Sequence, residues 1–362
     1  MIFWTLFLAA WFFLAGGTDA HAGFLAPIFT AIGGALSAGG ALGLIAKTLL
    51  GIALNIGVAL IQKALAPKQK EPGIQGDITV GGDNPLSFVM GHFATAGQLE
   101  YVNTWGSAGK TPNAFLTHVI SLSDLPLHAL TGLWVNDQKV TIPTMTGSPP
   151  TPQGWPVEAF RKDGVDYLWI RFHDGSQTTY DGFLTSTFGS DADRPWETDQ
   201  IGRGVAYVVV TARLNRELFN GIPSYLFETD GIPLYDIRKD STAGGSGSQR
   251  WNDPSTWAPS DNPAVQAYNI VRGIRYGSEW VYGGQTTEAY QLPAANWMAA
   301  MNAADASVGL AGGGTEKRYR SGCQITVDQE PADVIESLLK GCSGRIAEAG
   351  GIYKVLLGTP GA

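Results

Sequence analysis

The first 66 residues contain only three charged side chains, Asp19, Lys47 and Lys63. No fold can leave so much apolar surface in water, so this stretch must be hidden by an oligomer, a lumen or a lipid bilayer. Residues 1–15, MIFWTLFLAAWFFLA, are uncharged. As a helix they would reach about 22 Å, short of the roughly 20 residues a membrane crossing needs. That length suits the apolar core of a signal peptide, and Ala20-His21-Ala22 resembles a small-x-small cleavage site. The basic leader of such a peptide is missing, because the first Lys or Arg is Lys47. Further on, Leu42, Ile45, Leu49, Ile52 and Ile56 recur in alternating steps of three and four. This is the seam of a helix that wraps around its neighbours. The opposite face, with Leu44, Leu50, Leu54 and Val58, is apolar too. A helix apolar all round is buried on every side: a core helix, a helix on an oligomer axis, or one in a bilayer.

Pro67-Lys68-Gln69-Lys70-Glu71-Pro72-Gly73 is a polar linker that closes this segment. From residue 74 to about 240, short alternating runs are punctuated by Gly, Pro, Asn and Asp. They include Gln75–Val80, Tyr167–Phe172 and the strongly β-like VAYVVVTA at Val205–Ala212. GLWVNDQKV, Gly132–Val140, reads as a hairpin turning at Asn136-Asp137. Regularly spaced short strands predict barrel-like or sandwich-like domains. Residues 241–260, with AGGSGSQ, read as a flexible loop. Helical signals concentrate in 261–362. Asn262-Pro263 caps and opens a helix that stops at Gly273; a second runs from about Pro293 to Ala304, and a third from Pro331 to Gly341. Strands at Cys323–Val327 and Ile352–Leu356 bracket the third helix, the order of a small α/β domain. The predicted fold class is α+β and β-rich, with an apolar helical N-terminal segment.

Charged residues make up only 15% of the chain, against 44% hydrophobic, and the net charge is −8. Low charge suits a surface covered by neighbours, and nothing resembles the basic stripe of a sequence-specific nucleic-acid binder. The nearest thing, Glu316-Lys317-Arg318-Tyr319-Arg320, reads as a solvated turn. Cys323 and Cys342 are too few for a disulfide framework or a zinc site, and read as small buried apolar residues. None of the five His stands in a catalytic motif, and Gly312-Gly313-Gly314 lacks the Lys-Ser/Thr of a phosphate loop. Asp191-Ala192-Asp193-Arg194-Pro195-Trp196-Glu197 has carboxylates beside an aromatic, as in a glycosidase, but reads more simply as an acidic loop. No catalytic residue, cofactor or metal is expected.

Between residues 201 and 275 three elements follow in order: IGRGVAYVVVTARLN, then FNGIPSYLFETDGIPLYDIRKDS, then SDNPAVQAYNIVRGI. Within them lie the strand Gly204–Val210, the turn Tyr235-Asp236-Ile237-Arg238, and Trp257 followed by Asn262-Pro263-Ala264. This order resembles the tail-tip hub, or tip attachment, proteins of long-tailed bacteriophages, also found in gene transfer agents. RYRSGCQITVDQEPADVIESLLKGCSGRIAEAGGIYKVLLG and GDITVGGDNPLSFVMGHFATAGQLEYVNTWG are similar to parts of that family too. The resemblance implies a structural homotrimer in the virion, assembled in the host cytoplasm. It would close the tail tube and take part in host attachment and DNA passage. Its implied partners are distal tail and other tip proteins, the tape-measure C-terminus and, through residues 1–66 as plug or membrane-active segment, the host membrane. Longer relatives continue with further domains, so this chain reads as an N-terminal or short version. The competing expectation is a secreted, membrane-anchored glycan-binding protein or glycoside hydrolase.

Overall fold

The computed structural model describes residues 79–80, 84–219 and 221–358. The apolar segment 1–66, the linker 67–73 and the seam residues Leu42, Ile45, Leu49, Ile52 and Ile56 lie outside the described residues.

The described residues begin with strands β1 (Thr79–Val80), β2 (Ser87–Thr95), β3 (Gln98–Ala108), β4 (Thr111–Ser123), β5 (Ala129–Val135) and β6 (Gln138–Val140). Then come β7 (Trp155–Pro156), β8 (Arg161–Lys162), β9 (Val165–Asp166), β10 (Leu168–His173) and helix α1 (Gly182–Phe188). Strands β11 (Ala206–Arg213) and β12 (Tyr225–Asp230) precede α2 (Pro263–Arg272). Next are β13 (Ile274–Tyr276), β14 (Glu279–Tyr282), α3 (Ala294–Asp305), β15 (Ser307–Gly309) and β16 (Thr315–Lys317). The last elements are β17 (Gly322–Thr326), α4 (Pro331–Lys340), β18 (Arg345–Ala349) and β19 (Ile352–Leu356). The protein is α+β and β-rich.

Two sheets carry the architecture, one ordered β1-β3-β4-β11-β10-β7 and the other β17-β2-β12-β5-β6. Side chains alternate across a strand, so each central strand feeds two cores. On β11, Ala206, Val208, Val210 and Ala212 enter the space between the sheets, while Tyr207 and Val209 point the other way. On β2, Val89 joins the inter-sheet core and Phe88 and Met90 join the core beneath the helices. The layers are therefore α1, the six-stranded sheet, the five-stranded sheet, and the group α2, α3 and α4. The continuous apolar run of β11 follows from this: it is covered on both faces.

Local sequence explains the boundaries. Asn136 and Asp137 both take positive φ, 51° and 64°, as the two-residue turn between β5 and β6 requires. Asn262 caps α2 by accepting from the Ala264 and Val265 amides, with Pro263 in the first turn. Gly273 ends α2 at φ 101° with its α-carbon against the Gly284 carbonyl, a position no side chain fits. The two strands bracketing α4 do not pair with each other. β17 pairs with Ser87–Gly91 on the side of β2 away from β12, and β19 pairs with β18. The Gly-rich 241–249 loop is tied down: Ser246 N–H donates to Arg238 O, Gln249 N–H to Lys239 O, and the Asp236 amide to Gln249 Oε1.

Candidate assembly surface

Of the residues carrying the resemblance, the strand Gly204–Val210 leads into β11 of the six-stranded sheet, while Tyr235, Asp236, Arg238, Trp257, Asn262 and Pro263 gather beneath the five-stranded sheet. Tyr235 is fully buried, with its hydroxyl donating to Asp240 at 2.7 Å. Its ring meets Trp251, Trp257 and Tyr268 at centroid distances of 5.6, 6.2 and 6.1 Å. The Arg272 guanidinium sits over Trp257 at 4.4 Å and over Trp251 at 4.6 Å, and burial pushes its pKa down to about 10. Asn262 also donates to the Met301 carbonyl, fixing the start of α2 against α3. Asn269 bonds both the amide and the carbonyl of Tyr235, fixing the turn against α2. Tyr235, Trp257, Asn262 and Pro263 are spent on packing or on satisfying buried backbone, and Asp236 and Arg238 on an ion pair.

A chain of alternating charges leads outward from that knot. Asp236 pairs with Arg238 at 2.7 Å, Arg238 with Asp305 at 2.8 Å, Asp305 with Lys317 at 3.3 Å, Lys317 with Asp261 at 2.7 Å, and Asp261 with Arg320 at 2.8 Å. Burial raises the Asp261 pKa, but the hydrogen bonds and charges of Lys317 and Arg320 outweigh it and hold the carboxyl low. Asp305, at the C-terminal end of α3, faces the negative end of the helix dipole, and its two cations offset that repulsion. The stretch 316–320, expected as a free solvated turn, is thus partly committed to this chain of charges.

What the chain of charges anchors is a bare ribbon. Every residue of β15 and β16 is exposed, Val308 at 39%, and Leu310 in the connecting turn is 45% exposed. A Cβ added at Gly309, Gly312, Gly313 or Gly314 would meet nothing within 4 Å, so the tip stands free of the body. A second ribbon, β13–β14, buries Ile274 and Tyr282 at its base and exposes Tyr276 and Trp280 on opposite faces; Tyr290, nearby in sequence, is 74% exposed. The sequence reading missed both features. The signal of the first was SVGLAGGG, an aliphatic pair either side of Gly309 ahead of a glycine run, which composition alone reads as a loop.

Elsewhere the titratable groups are bound into the fold. The Asp181 side chain is fully buried, accepts a hydrogen bond from Arg171 Nε and meets His173 Nε2 at 2.7 Å each, and caps α1 through the Phe183 and Leu184 amides. Burial works to raise its pKa, yet the His173 bond, the Arg171 charge and the Leu184 amide bring it down to about 2. A shallow groove of about 450 Å³ beside it is lined by Pro150, Pro152, Arg171 and Phe183. His118 lies in the inter-sheet core against Tyr225, and burial pushes its pKa down to about 4. Asp191 accepts from Asn103 and from the Asp193 and Arg194 amides, so it organises its own loop. Both cysteines are free, and burial pushes the Cys323 thiol up to about 11. Among the described residues no three His, Cys, Asp or Glu are grouped to hold a metal, and no helix is long and apolar enough to cross a membrane.

No family model matches the chain, and no curated protein matches it in sequence. Among solved structures it is similar to a chain of the virion of a native gene transfer agent particle, at a TM-score of 0.39 and 15% identity. The match covers 88% of this chain and 64% of that one, so the chain spans under two thirds of that neighbour's length. At that TM-score the likeness assigns neither fold family nor function.

Proposed function

We propose that this chain is a non-enzymatic structural protein of a phage-like particle, a tail-tip hub that closes the tail tube as a homotrimer. The observation that carries the reading is the ordered set of motifs between residues 201 and 275. Tyr235, Asp236, Arg238, Trp257, Asn262 and Pro263 all serve one packing unit, and that unit anchors an exposed ribbon through ion pairs. A chain built this way spends its polar chemistry on holding neighbours and surfaces in place. The low charge of the sequence and its apolar leader fit a molecule largely covered by partners: further copies, distal tail and tip proteins, and the tape-measure C-terminus. In this reading the Leu42, Ile45, Leu49, Ile52 and Ile56 seam packs on the three-fold axis, and the leader serves as a lumen plug or meets the host membrane during DNA passage.

The test is localisation. Gold-labelled antibody against the chain should decorate the tail tip of intact particles, with three copies per tip by quantitative mass spectrometry. Label on the capsid, or no label on particles, would remove the hub reading.

A further inference from the structure

We propose that the β15–β16 ribbon is a salt-sensitive arm: when Lys317 leaves its carboxylates, residues 307–317 come free while the body stays folded. Such a device goes beyond the hub reading and does not depend on it.

The ribbon has little to hold it. A lone two-stranded hairpin is marginal in water, and this one buries none of its six strand residues. Its backbone bonds stay within itself and its base. Leu310 N–H donates to Gly314 O at the tip, and Arg318 N–H to Ala306 O at the base. Antiparallel pairing alternates, so Val308 and Glu316 form the bonded pair between those two ends. Among the described residues, the only side-chain bond from 307–317 to the body is that of Lys317. It donates to Asp261 at 2.7 Å, with Asp305 at 3.3 Å. The body takes hold again on either side. Ala304 is fully buried and its carbonyl accepts from Tyr319 N–H, the Tyr319 hydroxyl donates to Gly358 O, and Ser321 N–H donates to Asp261 O. These fixed points bound the part that can leave.

Release strands no charge. Breaking a buried ion pair is costly because the partner left behind stays buried and unpaired. When Lys317 withdraws, Asp261 keeps Arg320 at 2.8 Å and Asp305 keeps Arg238 at 2.8 Å. Neither arginine belongs to the ribbon. Arg238 is held in its turn by Asp236, and Arg320 lies between the anchored Tyr319 and Ser321. Arg320 is the more exposed cation, at 59% against 44% for Lys317, but loosening its pair moves no segment, because its backbone is fixed on both sides. Lys317 is thus the member of the chain of charges whose loosening frees something. Its neighbours Glu316 and Arg318 make no ion pair among the described residues, so neither takes its place. Partly exposed pairs of this kind are weak and are screened by salt, which makes ionic strength the signal that the arm reads.

The experiment is amide hydrogen exchange on the full chain in non-ionic detergent, at about 50 mM and about 500 mM NaCl. Exchange at Val308 and Glu316, taken relative to the most protected amides of α2, should rise about three- to fivefold at the higher salt. Lys317→Met should give the same rise at low salt and remove the response to salt. Its melting temperature should hold, because the Lys317 side chain belongs to no core. Ribbon amides that exchange freely at low salt, that respond in step with α2, or that ignore salt in the wild type would each overturn the arm. So would a salt response that survives in Lys317→Met, or α2 protection lost in that variant. The wild-type salt series stands without the variant, and gold label absent from tail tips leaves all of these readings in force.

Discussion

His118 and Asp181 show how single ionisable side chains couple this fold to pH. His118 is neutral between the sheets, its pKa pushed down to about 4 by burial, while in the unfolded chain it titrates near 6.5. As pH falls below 6.5 the unfolded state takes up a proton that the folded state refuses, so stability is complete above that pH and declines toward 4. Between pH 7 and pH 5 the loss attributable to His118 is about 2 kcal/mol. His118→Phe should remove that part of the pH dependence; urea midpoints of the two proteins at pH 7 and pH 5 measure it, and equal slopes would contradict it. Asp181 acts in the opposite range. Its carboxyl is held down to about 2, against 3.8 unfolded, so its contribution is present above 3.8 and is lost as pH falls through 2. Asp181→Ala strands Arg171 and unties α1, and should cost about 3–5 kcal/mol at neutral pH, read from chemical denaturation. Neither role was visible in the sequence. His173 and Asp181 are eight residues apart with no motif between them, and His118 differs from any polar strand residue only through a Tyr225 it meets across the sandwich.

At the scale of elements, what was legible is what local chemistry decides. The Asn262-Pro263 start and Gly273 stop of α2, the Asn136-Asp137 turn and the long apolar β11 all follow from a few neighbouring residues. Asn262→Ala removes both the cap of α2 and the bond to Met301 O, and should lower stability by about 1–3 kcal/mol, whereas Asn262→Asp keeps the cap and loses only the donor. Thermal melts of the two variants would separate these parts; an alanine as stable as the wild type would show that the helix start is not fixed there. Pairing across long separations was not legible. β17 reaches back across more than two hundred residues to β2, and nothing in CQITV names that partner rather than β19. The order of the 241–249 loop was hidden for the same reason: its glycines make tight turns around Asp240, and only the folded chain brings the bonding groups to them.

At the scale of the whole molecule, the five-stranded sheet is common property of two cores. Val89 and Met90 are neighbours on β2, one facing the sandwich and the other facing the helices. β17, contributed by the C-terminal third, completes that sheet and buries Ile325 against the helical layer. A division at the 241–260 loop, natural in the sequence, is therefore crossed by backbone hydrogen bonds between β2 and β17 and by side-chain bonds such as Thr95 to Gln324 at 3.0 Å. If the layers are one cooperative unit, damage in the helical core must be felt in the sandwich. Ile325→Ala creates a cavity in a fully packed site and should cost about 2–5 kcal/mol. Native-state hydrogen exchange resolves where that loss appears. The most protected amides of α2 and of β11, which lie on opposite sides of the shared sheet, should lose the same free energy. Protection lost in α2 alone, with β11 unchanged, would mean that the helical layer opens as a separate unit and that the shared sheet does not transmit its stability.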